Sequence, residues 1–449
     1  MINGATTNTN LLARDDAHLI HPLHDRKLHE RGHVWVKGDG AIVTDADGRE
    51  FIDGLSGLWN VTAGHGRREL AETMHNQAAT LAYVSGYSGS SNRWSIELAE
   101  RLAAICYPSI NHFFFTSGGG EATESSIKMA RAYWKLRGRP TKTKVISRID
   151  SYHGVTMAAM SATGMSPYWP LFEPRMPGFL HIPSPYPYRY DAPAGFSEGV
   201  AAANELERAI RREGAETIAM FIAEPVQGAG GVIVPQPDYF PRIREICDQY
   251  EVLLVADEVI TGFGRTGKLF ALDHWGIEPD IMQFAKAVTS GYFPFGGIGI
   301  NDAIARTLRE DGRPWMHAYT YSAHPVGCAV ALRTLQIIED ECFPEQAASK
   351  GLYLLDALTS ALADHPHVGN IRGKGLMCAV ELVADKPTKA TFPADRRVGV
   401  KVNHEAIERG LFSRVRDDIY LLAPAVVVTN EQLDRSVEIL TESIRAVLR

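Results

Sequence analysis

Three short apolar runs of this chain each end in residues able to do chemistry. The first is Phe113–Phe115, followed by Thr116, Ser117, Gly118, Gly119 and Gly120, with Glu121 opening a helical pattern. Glycines let a backbone approach an anion, and a new helix N-terminus offers free N–H groups and the positive end of a dipole. The second run, VLLVA, ends at Asp257, a carboxylate able to hold a proton on a heteroaromatic ring nitrogen. The third, IMQFA, ends at Lys286. Lysine is rarely buried without a partner, and a desolvated amine has a lowered pKa and can act as a nucleophile. Taken singly, each has a structural alternative: a glycine turn with a serine cap, a carboxylate capping the next turn, a lysine reaching solvent. Taken together, a phosphate cradle, a ring-nitrogen carboxylate and a Schiff-base lysine are what pyridoxal phosphate asks of a protein.

The elements that carry these residues follow from the hydrophobic pattern. The runs Phe113–Phe115, Val145–Ser147, Ala219–Ala223, Val252–Ala256 and Ile281–Phe284 alternate with helical stretches at Glu121–Leu136, Val200–Arg212 and Phe240–Tyr250. Strands buried on both faces with helices between them predict an α/β parallel sheet, whose ligands bind outside the carboxyl ends of the strands. Upstream, His33–Asp53 alternates apolar and polar residues around GDG and DADG turns, which predicts antiparallel strands joined by a hairpin. Residues up to about Leu12 read as a loose tail. Downstream of His324 lie long helical patterns, strands at Leu376–Leu382 and Ile419–Ala423, and a closing helix over Asn430–Val447. This part lacks the βαβ rhythm. The expected division is an N-terminal segment over 1–60 that joins a smaller domain, a large domain over 61–325, and the rest of the small domain over 326–449. The proline-rich stretch Ile182–Pro193 reads as a loop of functional length.

Composition narrows the class. The chain has 449 residues, 45% hydrophobic and 22% charged, which excludes a wholly disordered chain. Lys plus Arg is 46 against 53 Asp plus Glu, a net charge of −7 with no basic run. Nucleic-acid or anionic-membrane binding therefore lacks the charge that would drive it. No apolar run approaches the roughly 20 residues of a membrane span. The five cysteines are scattered and form no CxxC pair. No metal site is expected, and a reducing cytoplasm fits best. One motif misleads: GFGRTG at Gly262–Gly267 matches GxGxxG and nearly a P-loop. Yet Leu269 stands where magnesium needs a hydroxyl, no acidic residue follows at the ribose distance, and Asp257 and Glu258 would repel a phosphate.

Six segments carry a wider resemblance: TSGGGEATESSIKMAR at Thr116–Arg131, SYHG at Ser151–Gly154, EPVQGAGGV at Glu224–Val232, ADEVITGFGRTG at Ala256–Gly267, DIMQFAKAVTSGYFPFGG at Asp280–Gly297 and YTYSAHPVGCAVAL at Tyr319–Leu332. In this order they resemble the class III aminotransferases, pyridoxal-phosphate enzymes of fold type I, over nearly the whole chain from about Asp16. The resemblance implies a mostly parallel sheet of the seven-stranded type in a large domain, plus a smaller α+β domain from the N- and C-terminal segments. It implies that Lys286 is the Schiff-base lysine and proton shuttle and that Asp257 pairs with the pyridine nitrogen. Val259 and Tyr152 would flank the ring, Ser117, Gly118 and Gly119 would hold the phosphate, and Gln227 would lie near the ring hydroxyl. Thr320 would reach the phosphate of a neighbouring subunit. That implies a homodimer with shared active sites, or a tetramer built from it. The cofactor alternates between pyridoxal and pyridoxamine 5'-phosphate.

Within that family the chain resembles the ω-amino acid or amine:pyruvate branch. DGLSGLWNVTAGHGR at Asp53–Arg67 places Trp59 at the pocket wall, with Tyr87 and Tyr319 as further aromatic walls, Tyr319 from the partner subunit. Arg414 in LFSRVRDD matches the branch's mobile arginine, with Arg416 two residues on as the alternative; either would grip a carboxylate in bidentate fashion. Two departures matter. Leu23 stands where relatives often place an aromatic, which weakens a tight cage. Ala229 stands where ornithine- and GABA-type relatives carry an acid. The implied reaction moves an amino group from a primary amine or ω-amino acid to pyruvate. The rivals are a taurine-, β-alanine- or diamine-selective enzyme, an aminomutase, a silent pyridoxal-binding dimer, and a nicotinamide enzyme of the aldehyde dehydrogenase kind.

Overall fold

The N-terminal alternation folds as expected, into β1 (Trp35–Asp39), β2 (Ile42–Asp45) and β3 (Glu50–Asp53), each antiparallel to the next. These strands belong to a computed structural model that describes residues 8–23, 32–87 and 89–448. One expectation at this end is corrected. The loose tail was drawn to Leu12, but Asn8–His18 is a helix with no buried residue. Asn8 ties it down: its backbone N–H donates to Asp47 (3.0 Å) and its side-chain oxygen accepts from the N–H of Val34 (2.8 Å). Residues 1–7 lie outside the described residues.

A seven-stranded sheet holds the centre. In chain order its strands are β4 (Ile110–Thr116), β5 (Lys144–Arg148), β6 (Phe179–Ile182), β7 (Ile218–Ala223), β8 (Leu253–Asp257), β9 (Ile281–Phe284) and β10 (Gly296–Asn301). In space the order is β4-β10-β9-β8-β7-β5-β6. All neighbours from β9 to β6 are parallel, while β10 runs antiparallel to both β4 and β9. β7, β8 and β9 are buried along their whole length, as apolar runs covered by helices on both faces must be. β10 carries no apolar run and escapes a pattern search. Its glycines explain why: a Cβ on Gly297 would stand 2.7 Å from the carbonyl oxygen of Phe114 and from the Phe284 ring, and one on Gly299 2.4 Å from Ile110. The strand fits between its neighbours because Gly297 and Gly299 carry no side chain where Phe284 and Ile110 press in, while Ile298 and Ile300 pack into the core on the other face.

The C-terminal part supplies β11 (Val368–Gly373), β12 (Cys378–Leu382), β13 (Leu411–Phe412), β14 (Arg414–Arg416) and β15 (Ile419–Leu422). Four of them form an antiparallel sheet in the order β11-β12-β15-β14. β13 leaves it to pair in parallel with β3, so the two ends of the chain share one sheet. The closing helix spans Asn430–Val447 and starts with a capping box in which Thr429 and Gln432 satisfy each other's backbone. Ile182–Pro193 is a loop beyond the last residue of β6. All five cysteines are free thiols.

The glycine motif at Gly262–Gly267 is a structural turn. Arg265 within it is fully buried and donates to the carbonyls of Ala423 and Pro424 and to the Ser56 hydroxyl. Gly264 and Gly267 have φ of +100° and +91°, and a Cβ on Gly267 would press on Ala348 at 3.0 Å. The motif ties the end of β8 to the C-terminal strands and leaves no room for a nucleotide.

Candidate active site

Because β4 and β9 both run against β10, they point the same way as β5, β7 and β8. The carboxyl ends of all five strands therefore meet along one edge. A cavity of about 240 Å³ opens there, lined by Gly119 and Gly120 after β4, Tyr152 and His153 after β5, Glu224 after β7, Asp257 and Val259 at β8, and Lys286 after β9.

Lys286 begins a turn of 3-10 helix in a left-handed backbone conformation, φ +48°. Such strain in a non-glycine residue costs roughly 1–3 kcal/mol and collects at functional sites. Burial pushes its amine down to about 8, against the pull of Asp257 and Glu224, which favour the charged form. Near neutral pH an appreciable fraction is thus the free amine, the nucleophilic form.

Asp257 is 4% exposed and held at both oxygens. One accepts from the backbone N–H of Val259 at 3.1 Å, the other pairs with His153 Nδ1 at 2.7 Å. Beside it, Glu224 accepts from the N–H groups of Tyr152 and Gly228, both at 2.9 Å, and burial pushes its carboxyl above the usual range. Neither His153 nor Glu224 was singled out from the sequence, although both sit inside the quoted motifs SYHG and EPVQG. Their contacts join residues 72 and 104 positions apart, and no local spacing reports that.

Glu258, the next residue, faces away from the cavity. It is fully buried and accepts from the Tyr107 and Thr261 hydroxyls and from the N–H groups of Ala271 and Leu272, while burial pushes its carboxyl up to about 7. An amide has only one oxygen to accept with. Glu258→Gln is therefore expected to cost about 1–3 kcal/mol of stability, read as a lowered Tm in a thermal melt. An unchanged Tm would show that these bonds contribute nothing net.

The first helix after β4 starts at Gly119. A Cβ on Gly118 would meet nothing within 4 Å, so the space before the helix N-terminus is open. Gly119 packs on Val259, where a Cβ would approach to 3.0 Å, and Gly154 packs on Gly120 with φ +117°. The Ser117 N–H is already taken by Glu121 at 2.8 Å, which leaves its hydroxyl and the next N–H groups for an anion. A buried amine, a buried carboxylate and an open helix N-terminus on one small cavity are a donor set that fits pyridoxal phosphate.

Gln227 departs from expectation. It does not line this cavity: its side-chain oxygen accepts from Ser184 (2.7 Å) and its nitrogen donates to the carbonyl of Ile149 (3.0 Å). The amide is engaged with the protein and pins the loop after β6. Thr320 is exposed, and its carbonyl accepts from the Tyr83 hydroxyl. Tyr319 donates to the carbonyl of Glu121 at 3.3 Å, and Tyr87 is 64% exposed. None of these three lines the Lys286 cavity within its own chain.

A second cavity, of about 250 Å³, is lined by Leu23, Trp59, Met165, Tyr168, Ala229, Arg414 and Arg416, among others. Trp59 is buried and strained, with φ +65°, after Ser56 and Gly57, which also have positive φ. The Asp53 carboxylate holds that bend by accepting from the N–H groups of Leu55 and Gly57. Tyr168, unmarked in the sequence, packs against Tyr152 at a ring distance of 5.7 Å and so joins the two cavities. The two arginines separate here. Arg416 donates to the carbonyl of Gly230 and forms an ion pair with Asp150. Among the described residues, Arg414 has no hydrogen-bond or ion-pair partner.

Comparison with known proteins agrees with this geometry. The family model described as "Aminotransferase class-III" matches residues 25–444. The putrescine–pyruvate aminotransferase of Pseudomonas aeruginosa is 39% identical, over 96% of this chain and 94% of that one. Among solved structures, an (S)-enantioselective omega-transaminase from Thermomicrobium roseum is 47% identical with a TM-score of 0.94, covering 98% of each chain. The omega transaminase of Pseudomonas jessenii in complex with PMP is 38% identical, with a TM-score of 0.93 over 97% of this chain and 98% of that one.

Proposed function

The chain belongs to the class III aminotransferases, pyridoxal-phosphate enzymes of fold type I, and on that premise we propose that it is an ω-transaminase that moves the amino group of a primary amine or ω-amino acid to pyruvate. The observation that carries this reading is Arg414, whose guanidinium has no hydrogen-bond or ion-pair partner among the described residues, in the wall of a cavity it shares with Trp59. Such a pocket takes an apolar amine in one half-reaction and a keto acid in the other.

The bound cofactor supplies an electron sink joined to the donor's nitrogen. The chain supplies the rest. Lys286 Nζ would take the proton from the donor's amine-bearing carbon and return it to the cofactor side of the nitrogen. Asp257, held in place by the Val259 N–H and His153, would keep a proton on the ring nitrogen. Ser117, Gly118 and Gly119 anchor the phosphate at the helix N-terminus, and Tyr152 and Val259 flank the ring. Gln227 would lie near the ring hydroxyl. Arg414 swings in to grip a carboxylate and out to admit an amine without one.

The active unit in this reading is a homodimer. Apolar side chains stand exposed near the site, among them Tyr83, Tyr87, Met316 and Tyr321, and a second copy would cover them. Thr320 and Tyr319 then serve the neighbour's site, and Tyr87 adds an aromatic wall. Among the described residues no helix is long and apolar enough to cross a membrane; with free cysteines throughout, the cytoplasm is the compartment that suits the chain.

The test is the visible spectrum of the purified protein before and after each enantiomer of 1-phenylethylamine, then pyruvate. A yellow band that bleaches with the amine and returns with pyruvate is expected. A band that ignores both enantiomers would reject this donor class in favour of diamines, β-alanine or taurine. Arg414→Ala is expected to lower kcat/KM for pyruvate by roughly tenfold or more, the worth of a charge-assisted hydrogen bond of about 1.5–3 kcal/mol, and to spare 1-phenylethylamine by comparison. Equal losses for both substrates would reject the mobile arginine.

A further inference from the structure

Strand β14 stands between two spaces. On one side is the cavity of about 250 Å³ with Trp59, Tyr168 and Arg414; on the other is a larger cavity of about 840 Å³ walled by Tyr186, Tyr190 and Phe392. Val415 and Arg416 line both. Side chains alternate along a strand, so Arg414 and Arg416 share one face. Their fates differ. Arg414 is unpaired among the described residues, whereas Arg416 is clamped by the Gly230 carbonyl at 2.7 Å and by the carboxylate of Asp150, which lines only the larger cavity.

The clamp is built at a cost. Asp150 has φ +63°, a left-handed conformation that a non-glycine residue adopts at a penalty. Two glycines make it possible. A Cβ on Gly230 would stand 2.1 Å from the carbonyl oxygen of Asp150, and one on Gly164, whose carbonyl accepts from the Asp150 N–H, would stand 1.9 Å from the carbonyl oxygen of Arg148. Aspartate is among the few side chains that adopt this conformation, and the two close-packed glycines hold it there. The loop Pro183–Tyr190, whose Ser184 hydroxyl binds Gln227, forms the opposite wall of the larger cavity.

We infer that the Arg416–Asp150 ion pair is a specificity-determining partition, which closes the substrate cavity against the larger cavity behind it and so limits the length of the amine donor. The inference rests on the reading of the Trp59–Arg414 cavity as the substrate cavity. Arg416 positions no reacting atom; it sets where the donor's tail must stop. Opening the partition gives an arylalkyl tail space to enter beside Tyr186, Tyr190 and Phe392, in a cavity whose other walls carry Arg189, Glu381 and Arg397.

Two variants test this in the holoenzyme. Arg416→Met removes the ion pair and keeps the stem. Asp150→Asn removes the closer of the two carboxylates paired with Arg416, the other being Asp417 at 3.6 Å, with a residue that tolerates the left-handed conformation. The donors are 1-phenylethylamine and 4-phenylbutan-2-amine, whose tail is two methylenes longer. Arg416→Met is expected to raise the ratio of kcat/KM, long over short, by about tenfold, within the discrimination a methylene or two provides. Asp150→Asn is expected to shift it the same way by less. A second readout needs no turnover: calorimetric binding of the matching ketones, acetophenone and 4-phenylbutan-2-one, with affinities shifting in the same sense. Folded variants with both ratios unchanged would overturn the partition. Ketone affinities that shift while the wild type ignores both amines would leave the partition standing and reject the proposed donor class instead.

Discussion

Lys286→Ala is expected to abolish multiple turnover while leaving a folded protein. The side chain stands after β9 in the same cavity as Asp257 and Glu224, with burial lowering its amine to about 8, so that it can accept a proton at the reacting carbon. Proton transfer by a positioned group contributes roughly 10²–10⁴-fold, and here the same amine also anchors the cofactor, so the loss should be about 10⁴-fold or more. Removing the amine relieves its burial penalty but also takes the cation from beside Asp257 and Glu224, so the two effects oppose and the apoprotein variant should stay folded. The measurement is steady-state conversion of 1-phenylethylamine and pyruvate alongside a thermal melt. Sustained turnover in a folded variant would sink the mechanism.

Asp257→Asn comes next in size. The substitution keeps the shape and the hydrogen bond from Val259 but removes the charge that keeps a ring nitrogen protonated. Loss of a group that stabilises developing charge costs on the order of 10²–10³-fold in kcat. His153 sharpens the prediction. Its Nδ1 lies 2.7 Å from the carboxylate, and its Nε2 is buried without a partner among the described residues. With asparagine beside it, the imidazole loses its ionic partner in a dry site, so part of the effect should appear as a lowered melting temperature. A rate within a few-fold of wild type would mean that the ring's protonation does not limit the reaction.

The strands that carry these residues were legible because their signal is local. Runs such as Ala219–Ala223 and Ile281–Phe284 are apolar throughout, a pattern that a strand covered on both faces produces. The helices at Gly119–Leu136 and Asn430–Val447 announced themselves through their periodicity. β10 did not, since three of its six residues are glycines that leave room for neighbouring side chains, and glycine spacing alone does not distinguish a strand from a turn. The helix at Asn8–His18 was missed for a related reason: with no apolar face to bury, it leaves no periodic trace.

Local pattern was therefore enough for the strand ends and the residue types at them: Lys286, Asp257 and the Ser117–Gly120 turn, each placed by the run before it. Which groups those residues meet depends on how the chain packs. Packing gave Asp257 its histidine, engaged the Gln227 amide with Ser184 and Ile149, and brought Tyr168 beside Tyr152. It also set Arg416, the alternative to Arg414 in the sequence, apart by pairing it with an aspartate 266 positions away. Apolar periodicity is a property of neighbouring residues and can be read along the chain. A hydrogen bond or ion pair between distant segments depends on where the sheet edge brings them, and no spacing in the sequence encodes that.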